Sequence, residues 1–223
     1  VVRPIISGFH PDDPDSNSGF STTLKGDIMN IFVLSECPEQ SAKWMLDKHI
    51  VKMPTESMQM LSTILTHLDI EAPYKPVMLN HPSTIWARES KQNFLWLMQH
   101  TYALCQEYTQ RYGKMHKVEE TFYEFEDNLY KGANLLPDTE LTEFAIAISD
   151  TMQCRKQEDF DNATTVEKYR MYYLYDKWEF ATWKQNQPEW WPKAHYVNMY
   201  AARQKQFEEL KIRMRNKNAN KRM

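Results

Sequence analysis

The chain has 223 residues, of which 42% are hydrophobic and 26% charged, a balance typical of an ordinary soluble globular protein. Only 5 glycines occur, which argues against hairpin-rich β folds and glycine-rich dinucleotide-binding folds. Its 3 cysteines form no CxxC pair, so neither a disulfide scaffold nor a structural zinc site is expected. No run approaches a membrane span and no signal peptide opens the chain, so we expect a cytoplasmic protein.

The net charge of −3 is unevenly distributed. Residues 203–223 contain eight basic and two acidic side chains, a local charge of +6, and the rest of the chain carries −9. Such a basic segment either attracts the phosphates of a polyanion or is the solvated C-terminal end of a helix, where cations interact favourably with the negative end of the helix dipole. The sequence leaves both readings open.

The chain divides into three parts. Residues 1–28 are rich in Pro, Asp and Ser without any period, which indicates a disordered segment or an extension. Residues 29–200 are expected to form a single helical domain, and residues 201–223 a basic C-terminal helix or tail. We predict an all-α fold, an irregular multi-helix domain of five to seven helices with at most one short strand, at residues 31–34.

Helical signals begin at Pro38, which suits a first turn, and continue through apolar positions at helical spacing over residues 42–50. Pro54 is expected to kink or restart this helix, because proline lacks the backbone N–H that helices need. A second apolar stripe covers residues 58–68, and a proline-bearing loop covers 72–82.

A long helix is predicted from about residue 83 to residue 112, with Gly113 as its stop. Another is predicted over residues 118–130, ending near Gly132. A capping-box pattern opens a predicted helix over residues 166–184. A final helix is expected from about residue 196.

The most informative segment is the run DKHIVKMPTE, residues 47–56. On a helix, His49, Lys52 and Glu56 share one face, since residues three and four apart are neighbours. A kinked helix that carries an imidazole, an amine and a carboxylate can hold a nucleophile or an acid–base pair. The alternative is an amphipathic helix with an exposed ionic stripe.

The loop before the predicted long helix provides further candidates. His81 lies beside a helix N-terminus, where backbone N–H groups favour an anion and where Ser83 could be the cap. The alternative is a plain capped loop. The predicted substrate-binding residues of this loop and helix are Asn80, Ser83, Arg88, Asn93, Trp96 and His100. Further along the helix, Glu107 and Arg111 are predicted to form a surface ion pair.

A metal could in principle be held by Glu56 with several of the histidines. However, no HExxH or ExxH spacing occurs, so we predict neither metal nor cofactor. Aromatic rings interleaved with Arg and Lys fill residues 169–183. These rings either stack on nucleobases or form a thick aromatic core topped by cations.

Four motifs together resemble a family of small proteins common in phage genomes: MNIFVL at 29–34, DKHIVKM at 47–53, NHPS at 80–83 and YGKMH at 112–116. The resemblance spans about residues 29–191. It implies phage DNA metabolism in the host cytoplasm and carries the label of a pyrimidine-lesion DNA glycosylase. The chain shows little likeness to the short lesion glycosylase whose nucleophile is its N-terminal amine.

The sequence therefore predicts an enzyme acting on a nucleobase in DNA, of glycosylase or glycosylase–lyase type. Lys52 (or Lys48) or Glu56 would act at the sugar C1′, and His49 and His81 would transfer protons. Two alternatives are kept. One is a non-catalytic accessory protein that binds nucleic acid or a host factor, and the other is an enzyme on free nucleotides.

Overall fold

The computed structural model describes residues 29–191, which form seven α-helices and contain no strand. The helices are α1 (Pro38–Trp44), α2 (Asp47–His67), α3 (Pro82–Glu89), α4 (Lys91–Tyr112), α5 (Lys117–Glu124), α6 (Glu126–Leu135) and α7 (Thr165–Tyr172). The predicted all-α fold class is confirmed. The predictions for residues 1–28 and for the basic C-terminal segment lie outside the described residues.

The first apolar segment, residues 29–34, is a buried, bent stretch of backbone and not a strand. Asn30 organises it: its side-chain oxygen accepts from the amides of Ile31 (2.8 Å) and Phe32 (3.0 Å). Its amide nitrogen donates to the carbonyl of Ala147 at 2.8 Å. Because Asn30 satisfies these backbone groups, the segment can be buried without a sheet partner.

Of the two effects predicted for Pro54, a restart of the helix is wrong, since α2 runs through that residue without ending. The break lies earlier, where the backbone is extended at Met45 and Leu46. Two bonds hold it there: the amide of Asp47 donates to Thr182, and Arg111 donates to the carbonyl of Met45. Pro54 still removes one helical hydrogen bond, the one that Ile50 would otherwise accept.

The predicted long helix over 83–112 is two helices, α3 and α4. The backbone of Ser90 is extended (φ −147°, ψ 157°), and its hydroxyl accepts from the amide of Asn93 as the cap of α4. Ser90 is buried between two apolar stretches, so the sequence pattern looks like the interior of one helix. Its hydroxyl is in fact the cap at which a second helix begins. The predicted stop at Gly113 is confirmed, because its φ of 69° is left-handed.

The helix predicted over residues 118–130 is likewise two helices, α5 and α6, which meet at Phe125. The predicted end near Gly132 is wrong, since this glycine lies inside α6. A Cβ at Gly132 would lie 2.5 Å from the Cδ2 atom of Leu65 on α2. Gly132 is therefore needed for the close approach of two helices and not for a turn.

The core lies where α4 packs against α1 and α2. The capping box of α7 is confirmed, with Thr164 and Glu167 bonded reciprocally. The helix predicted to reach residue 184 is shorter: α7 ends at Tyr172 and continues as a π-helical turn, Tyr173–Lys177, and a 3-10 turn, Trp178–Phe180. Within residues 29–191, no helix is long and apolar enough to cross a membrane.

Candidate active site

The N-terminal half of α2 presents the predicted imidazole to an aromatic cage. His49 is only 7% exposed, and its ring stacks on Phe32 with centroids 4.2 Å apart. Tyr173 and Phe180 pack edge-on against the same imidazole, at 5.3 Å and 6.3 Å. His49 is therefore fixed on several sides by rings that come from both ends of the described chain.

Phe32 reaches this position through an unusual backbone conformation. Its φ is 51°, a left-handed value that costs a bulky residue about 1–3 kcal/mol and persists only where the surroundings enforce it. The hydrogen bond from its amide to Asn30 and the packing of its ring on Tyr172 (5.9 Å) supply that enforcement. Strain of this kind concentrates at functional sites.

A short hydrogen bond of 2.6 Å joins the Nδ1 atom of His49 to the hydroxyl of Tyr173. Burial is the main cause that holds the pKa of His49 well below its ordinary value, and the cations of Lys177 and Lys52 lower it further. Burial also raises the pKa of Tyr173 well above its ordinary value. Both groups are consequently neutral at pH 7, and the pair acts as a fixed hydrogen-bonding unit.

Sequence reasoning did not connect Tyr173 or Lys177 with α2. Tyr173 lies 124 residues beyond His49, and no spacing pairs them. Lys177 is buried, and its Nζ atom lies over the rings of Tyr172 (4.5 Å) and Phe32 (5.8 Å). The density of rings in residues 169–183 was the only signal, and it did not separate a cage around the site from an ordinary core.

One turn beyond His49, two more of the predicted catalytic residues form an ion pair. The Nζ atom of Lys52 lies 2.6 Å from the Oε1 atom of Glu56. The side chain of Lys52 is 57% exposed, whereas that of Glu56 is only 8% exposed. The pair therefore combines a carboxylate held in the protein with an amine that reaches solvent.

The predicted helix end after the NHPS motif has a different cap from the one expected. His81, not Ser83, caps α3: its Nδ1 atom accepts from the amide of Ser83 at 3.3 Å. Burial lowers the pKa of this half-buried imidazole, which is therefore neutral at pH 7. Asn80 is exposed beside it, and Arg88 folds back to donate to the carbonyl of Leu79 at 2.8 Å.

The predicted site residues of α4 are buried and bonded within the fold. The side-chain amide of Asn93 donates to Trp86 (2.8 Å) and Thr142 (2.7 Å), and its oxygen accepts from the amide of Thr142. Trp96 donates to the carbonyl of Glu36 at 2.6 Å. These bonds fix the loops before α1 and after α6, so a contact between substrate and these side chains stays a prediction.

His100 lies behind Trp96, with ring centroids 4.8 Å apart, and its Nδ1 atom lies 2.9 Å from the carbonyl of Pro38. Burial lowers the pKa of His100 to about 4, although the carbonyls of Pro38 and Ile31 oppose the shift. Its contact with substrate also stays a prediction.

Residues 29–34 lie against two of the predicted site residues, one on α2 and one on α4. Phe32 stacks on His49 of α2, and the carbonyl of Ile31 faces His100 of α4. Met29 accepts a long hydrogen bond (3.7 Å) from Thr84 of α3. Of the predicted site residues, His49 and His100 thus lie against one buried segment, and Lys52 and Glu56 follow further along α2. Among residues 29–191, no three His, Cys, Asp or Glu side chains are grouped so as to hold a metal ion.

Comparison with known proteins identifies the region that contains this arrangement. No curated protein and no solved structure matches the chain. Residues 29–120 match a family model described as pyrimidine dimer DNA glycosylase. This stretch begins at the buried segment 29–34 and contains α2, α3 and α4, whereas Tyr173 and Lys177 lie beyond it. The resemblance predicted from the sequence is therefore confirmed as a match over residues 29–120, which are less than half of the chain.

Proposed function

We propose that this protein is a DNA glycosylase for pyrimidine lesions in which the pair Lys52–Glu56 acts at the sugar C1′. The observation that carries the proposal is the 2.6 Å contact between an exposed amine and a buried carboxylate on the first turns of α2. The family match over residues 29–120, which include both side chains, supports the same assignment.

The pair allows two reactions at C1′. In the first, Glu56 takes a proton from a water molecule, which adds to C1′ as the glycosidic bond to the base breaks and the base leaves with a proton. In the second, Glu56 takes a proton from Lys52, and the free amine adds to C1′ and displaces the base. The lone pair of the bound nitrogen then breaks the C1′–O4′ bond, O4′ takes a proton, and the ring-opened adduct is an imine. Removal of a C2′ proton then expels the 3′ phosphate and cuts the strand.

The surrounding residues have supporting roles in this proposal. His49 is neutral and bonded to Tyr173. It fixes the position of α2, and with it the position of Lys52 and Glu56, and is therefore a positioning residue. His81 is only half-buried and remains the candidate for proton transfer with the substrate. Asn80, exposed beside it, and Arg88, which holds the same loop, are proposed to contact DNA.

The proposal is tested with a duplex that carries one cyclobutane pyrimidine dimer. Cleavage of the glycosidic bond is measured in single turnover as alkali-labile strand scission, because the cyclobutane ring keeps the cleaved base attached to its neighbour, and borohydride is added to trap an imine. The wild-type chain is expected to cleave this bond, and Glu56→Gln, which keeps the shape of the side chain, is expected to lose at least about 100-fold in rate. If the amine is the nucleophile, peptide mass spectrometry places the trapped sugar on Lys52.

Controls separate the two reactions and the rival functions. Lys75→Ala removes an exposed loop lysine and should leave the rate unchanged. Cleavage of the glycosidic bond without a trapped adduct assigns the water reaction. No cleavage of this bond in any dimer-bearing duplex overturns the enzyme proposal. Duplex binding that then persists, and that weakens steeply with salt, favours the accessory-protein alternative based on the basic residues 203–223.

A further inference from the structure

Exposed lysines lie on the outer face of α2 around the candidate amine. Lys48, Val51 and Lys52 share this face, because residues three and four apart on a helix are neighbours, and all three are exposed. Lys48 lies one turn before Lys52, with its Nζ atom over the ring of Phe180 at 4.9 Å. The face that carries the candidate amine therefore carries a second cation and an apolar side chain.

The YGKMH stretch, residues 112–116, joins α4 to α5 and is bonded to the same part of α2. The Nε2 atom of His116 donates to the carbonyl of Val51 at 3.2 Å, and its Nδ1 atom accepts from a backbone amide of α5 at 3.2 Å. Tyr112 donates to the carbonyl of Asp47 at 3.3 Å. Because both ends of the stretch are held in this way, it forms one surface with the first turns of α2.

This stretch adds a cation and a second apolar side chain to the surface. Lys114 is exposed, and Met115 beside it is 54% exposed. The exposed Lys184 reaches the same stretch, because its Nζ atom lies over the ring of Tyr112 at 4.1 Å. We refer to this surface as the basic patch, which consists of Lys48, Val51, Lys52, Lys114, Met115 and Lys184.

The basic patch differs in charge from the chain around it. Outside residues 203–223 the chain carries −9, so its surface as a whole repels a polyanion. The carboxylate of Asp47, at the edge of the patch, is paired with Arg111 at 2.9 Å. Exposed carboxylates follow along the chain outside the patch, at Glu120 and Glu179. The four lysines therefore form a local positive area to which a phosphate backbone can bind.

Two exposed apolar side chains lie among these lysines. Val51 is 46% exposed and Met115 is 54% exposed, and the bond of His116 to the Val51 carbonyl brings them to the same place. Proteins that bend or open a duplex combine cations on the phosphates with apolar side chains, methionine among them, that enter between base steps. The composition of the patch thus matches both the backbone and the bases of DNA.

We propose that the basic patch is the surface on which this protein holds duplex DNA, with its lysines on the backbone phosphates and Met115 against the bases beside the lesion. The inference rests on the proposed function, since it places DNA over the amine that would react. It assigns the binding contacts to side chains other than the reacting pair. It also gives the YGKMH stretch, which the proposed reaction does not use, a role in binding.

The first test measures the affinity of the full-length chain for a dimer-bearing duplex by fluorescence anisotropy at several salt concentrations. Glu56→Gln is present throughout, so that the duplex stays intact. Lys48→Gln with Lys114→Gln should weaken binding roughly 10- to 100-fold near 0.1 M salt and lower the slope of log K against log [salt] by about 2, because each phosphate contact contributes about 0.9.

Lys75→Gln with Lys131→Gln is the matched control, since it removes two exposed lysines outside the patch. It should leave the affinity and the salt slope nearly unchanged. Equal losses in the two double variants, or no loss in the patch variant, overturn the proposal.

The second test concerns the apolar contact. Met115→Ala removes no charge, so the salt slope should stay the same. A damaged base leaves the stack more easily than an intact one, so the preference for the dimer-bearing duplex over an undamaged duplex should fall about three- to tenfold. Leu135→Ala, at an exposed leucine of α6, is the matched control. An unchanged preference in Met115→Ala overturns the contact with the bases.

The two proposals fail in different ways. If the wild-type chain cleaves the glycosidic bond while the patch variants bind as well as the control, the basic patch is overturned and the proposed function stands. If the patch variants lose binding but the wild-type chain cleaves no dimer-bearing duplex, the proposed function is overturned and the binding surface stands.

Discussion

Two ion pairs of the same spacing lie in very different surroundings. Glu107 and Arg111 on α4 are 2% and 0% exposed, and their side chains meet at 2.7 Å. Lys52 and Glu56 on α2 meet at 2.6 Å, but the lysine is mostly in solvent. The sequence predicted the first pair on the surface, and that prediction is wrong. Identical i,i+4 spacing therefore says nothing about burial, and burial decides whether a pair stabilises the fold or is available for chemistry.

The buried pair is tolerated because the guanidinium is well satisfied. Besides Glu107, Arg111 donates to the carbonyls of Met45 and Lys43 and to the carboxylate of Asp47, each at 2.9 Å. These bonds tie the end of α1 and the start of α2 to α4. They hold the break at residues 45–46 and thereby set where α2, with its candidate site, begins.

The largest effect is expected from Arg111→Ala. It leaves two carboxylates and two carbonyls without their cation, and breaking a buried pair in this way costs about 3–5 kcal/mol of unfolding free energy. Urea denaturation measures the loss. Arg111→Lys should recover only a small part of it, since an ammonium cannot reach four acceptors in the geometry of a guanidinium. An alanine variant as stable as the wild type would contradict the assigned role.

A change of pH tests the burial of a second ionisable group on α4, His100, which lies near segment 29–34. His100 has a pKa of about 4 when folded and an ordinary value when unfolded, so the unfolded chain takes up its proton first as pH falls. Stability from this group is complete above about pH 6.5 and is lost towards pH 4. Between pH 7.5 and 4.5 the expected loss is roughly 2.5 kcal/mol.

The loss is measured by urea unfolding at the two pH values. His49 changes stability in the same direction, because its pKa is also lowered by burial. His100→Gln should flatten the dependence in part. Equal stability of the wild type at both pH values would show that His100 is not buried as described.

A smaller effect is expected at the edge of the buried network. Asn186 donates to both carboxylate oxygens of Glu107, at 2.9 Å and 3.2 Å, and its φ is 58°. Asn186→Gly keeps the left-handed backbone but removes the amide, and should cost about 1–2 kcal/mol. Asn186→Ala adds backbone strain and should cost more. If the two variants are equally stable, the backbone conformation is not what the residue provides.

Local signals predicted much of this fold correctly. The capping box at Thr164, the stop at Gly113 and the stripe His49–Lys52–Glu56 depend on neighbours within one or two turns, and such spacings are visible in a sequence. The positions at which one helix ends and the next begins were predicted less well. Leu46 is extended because Arg111, 65 residues away, bonds the carbonyl beside it, and no local pattern records that contact.

The candidate site likewise has a part that local spacing predicts and a part that it does not. The residues on α2 were predictable, because three polar residues at helical spacing break an apolar pattern. The ring cage was not, because Phe32, Tyr173 and Lys177 come from parts of the chain whose proximity to His49 is set by tertiary packing. Asn93 shows another contact that the sequence does not record: its side chain bonds Trp86 and Thr142 and holds a loop, while its role toward substrate stays a prediction.

The smallest effect on stability is expected from Lys52→Ala. This variant distinguishes most clearly between the exposed ion pair and the buried one. The amine is largely solvated, so its ion pair with Glu56 contributes little and the unfolding free energy should change by less than about 1 kcal/mol. The rate of glycosidic bond cleavage should nevertheless fall by at least about 100-fold if Lys52 is the nucleophile or fixes Glu56. The two quantities are measured on one preparation, by urea denaturation and by single-turnover kinetics.

Arg111→Ala supplies the opposite pattern, a large loss of stability. The fraction of that variant that remains folded should retain activity, because no reacting group has been removed. A variant of Lys52 that loses stability and activity in proportion would mean that this pair, too, is only structural. Separate losses, stability at Arg111 and rate at Lys52, would establish that exposure distinguishes the two pairs, since their spacing and their contact distances are nearly the same.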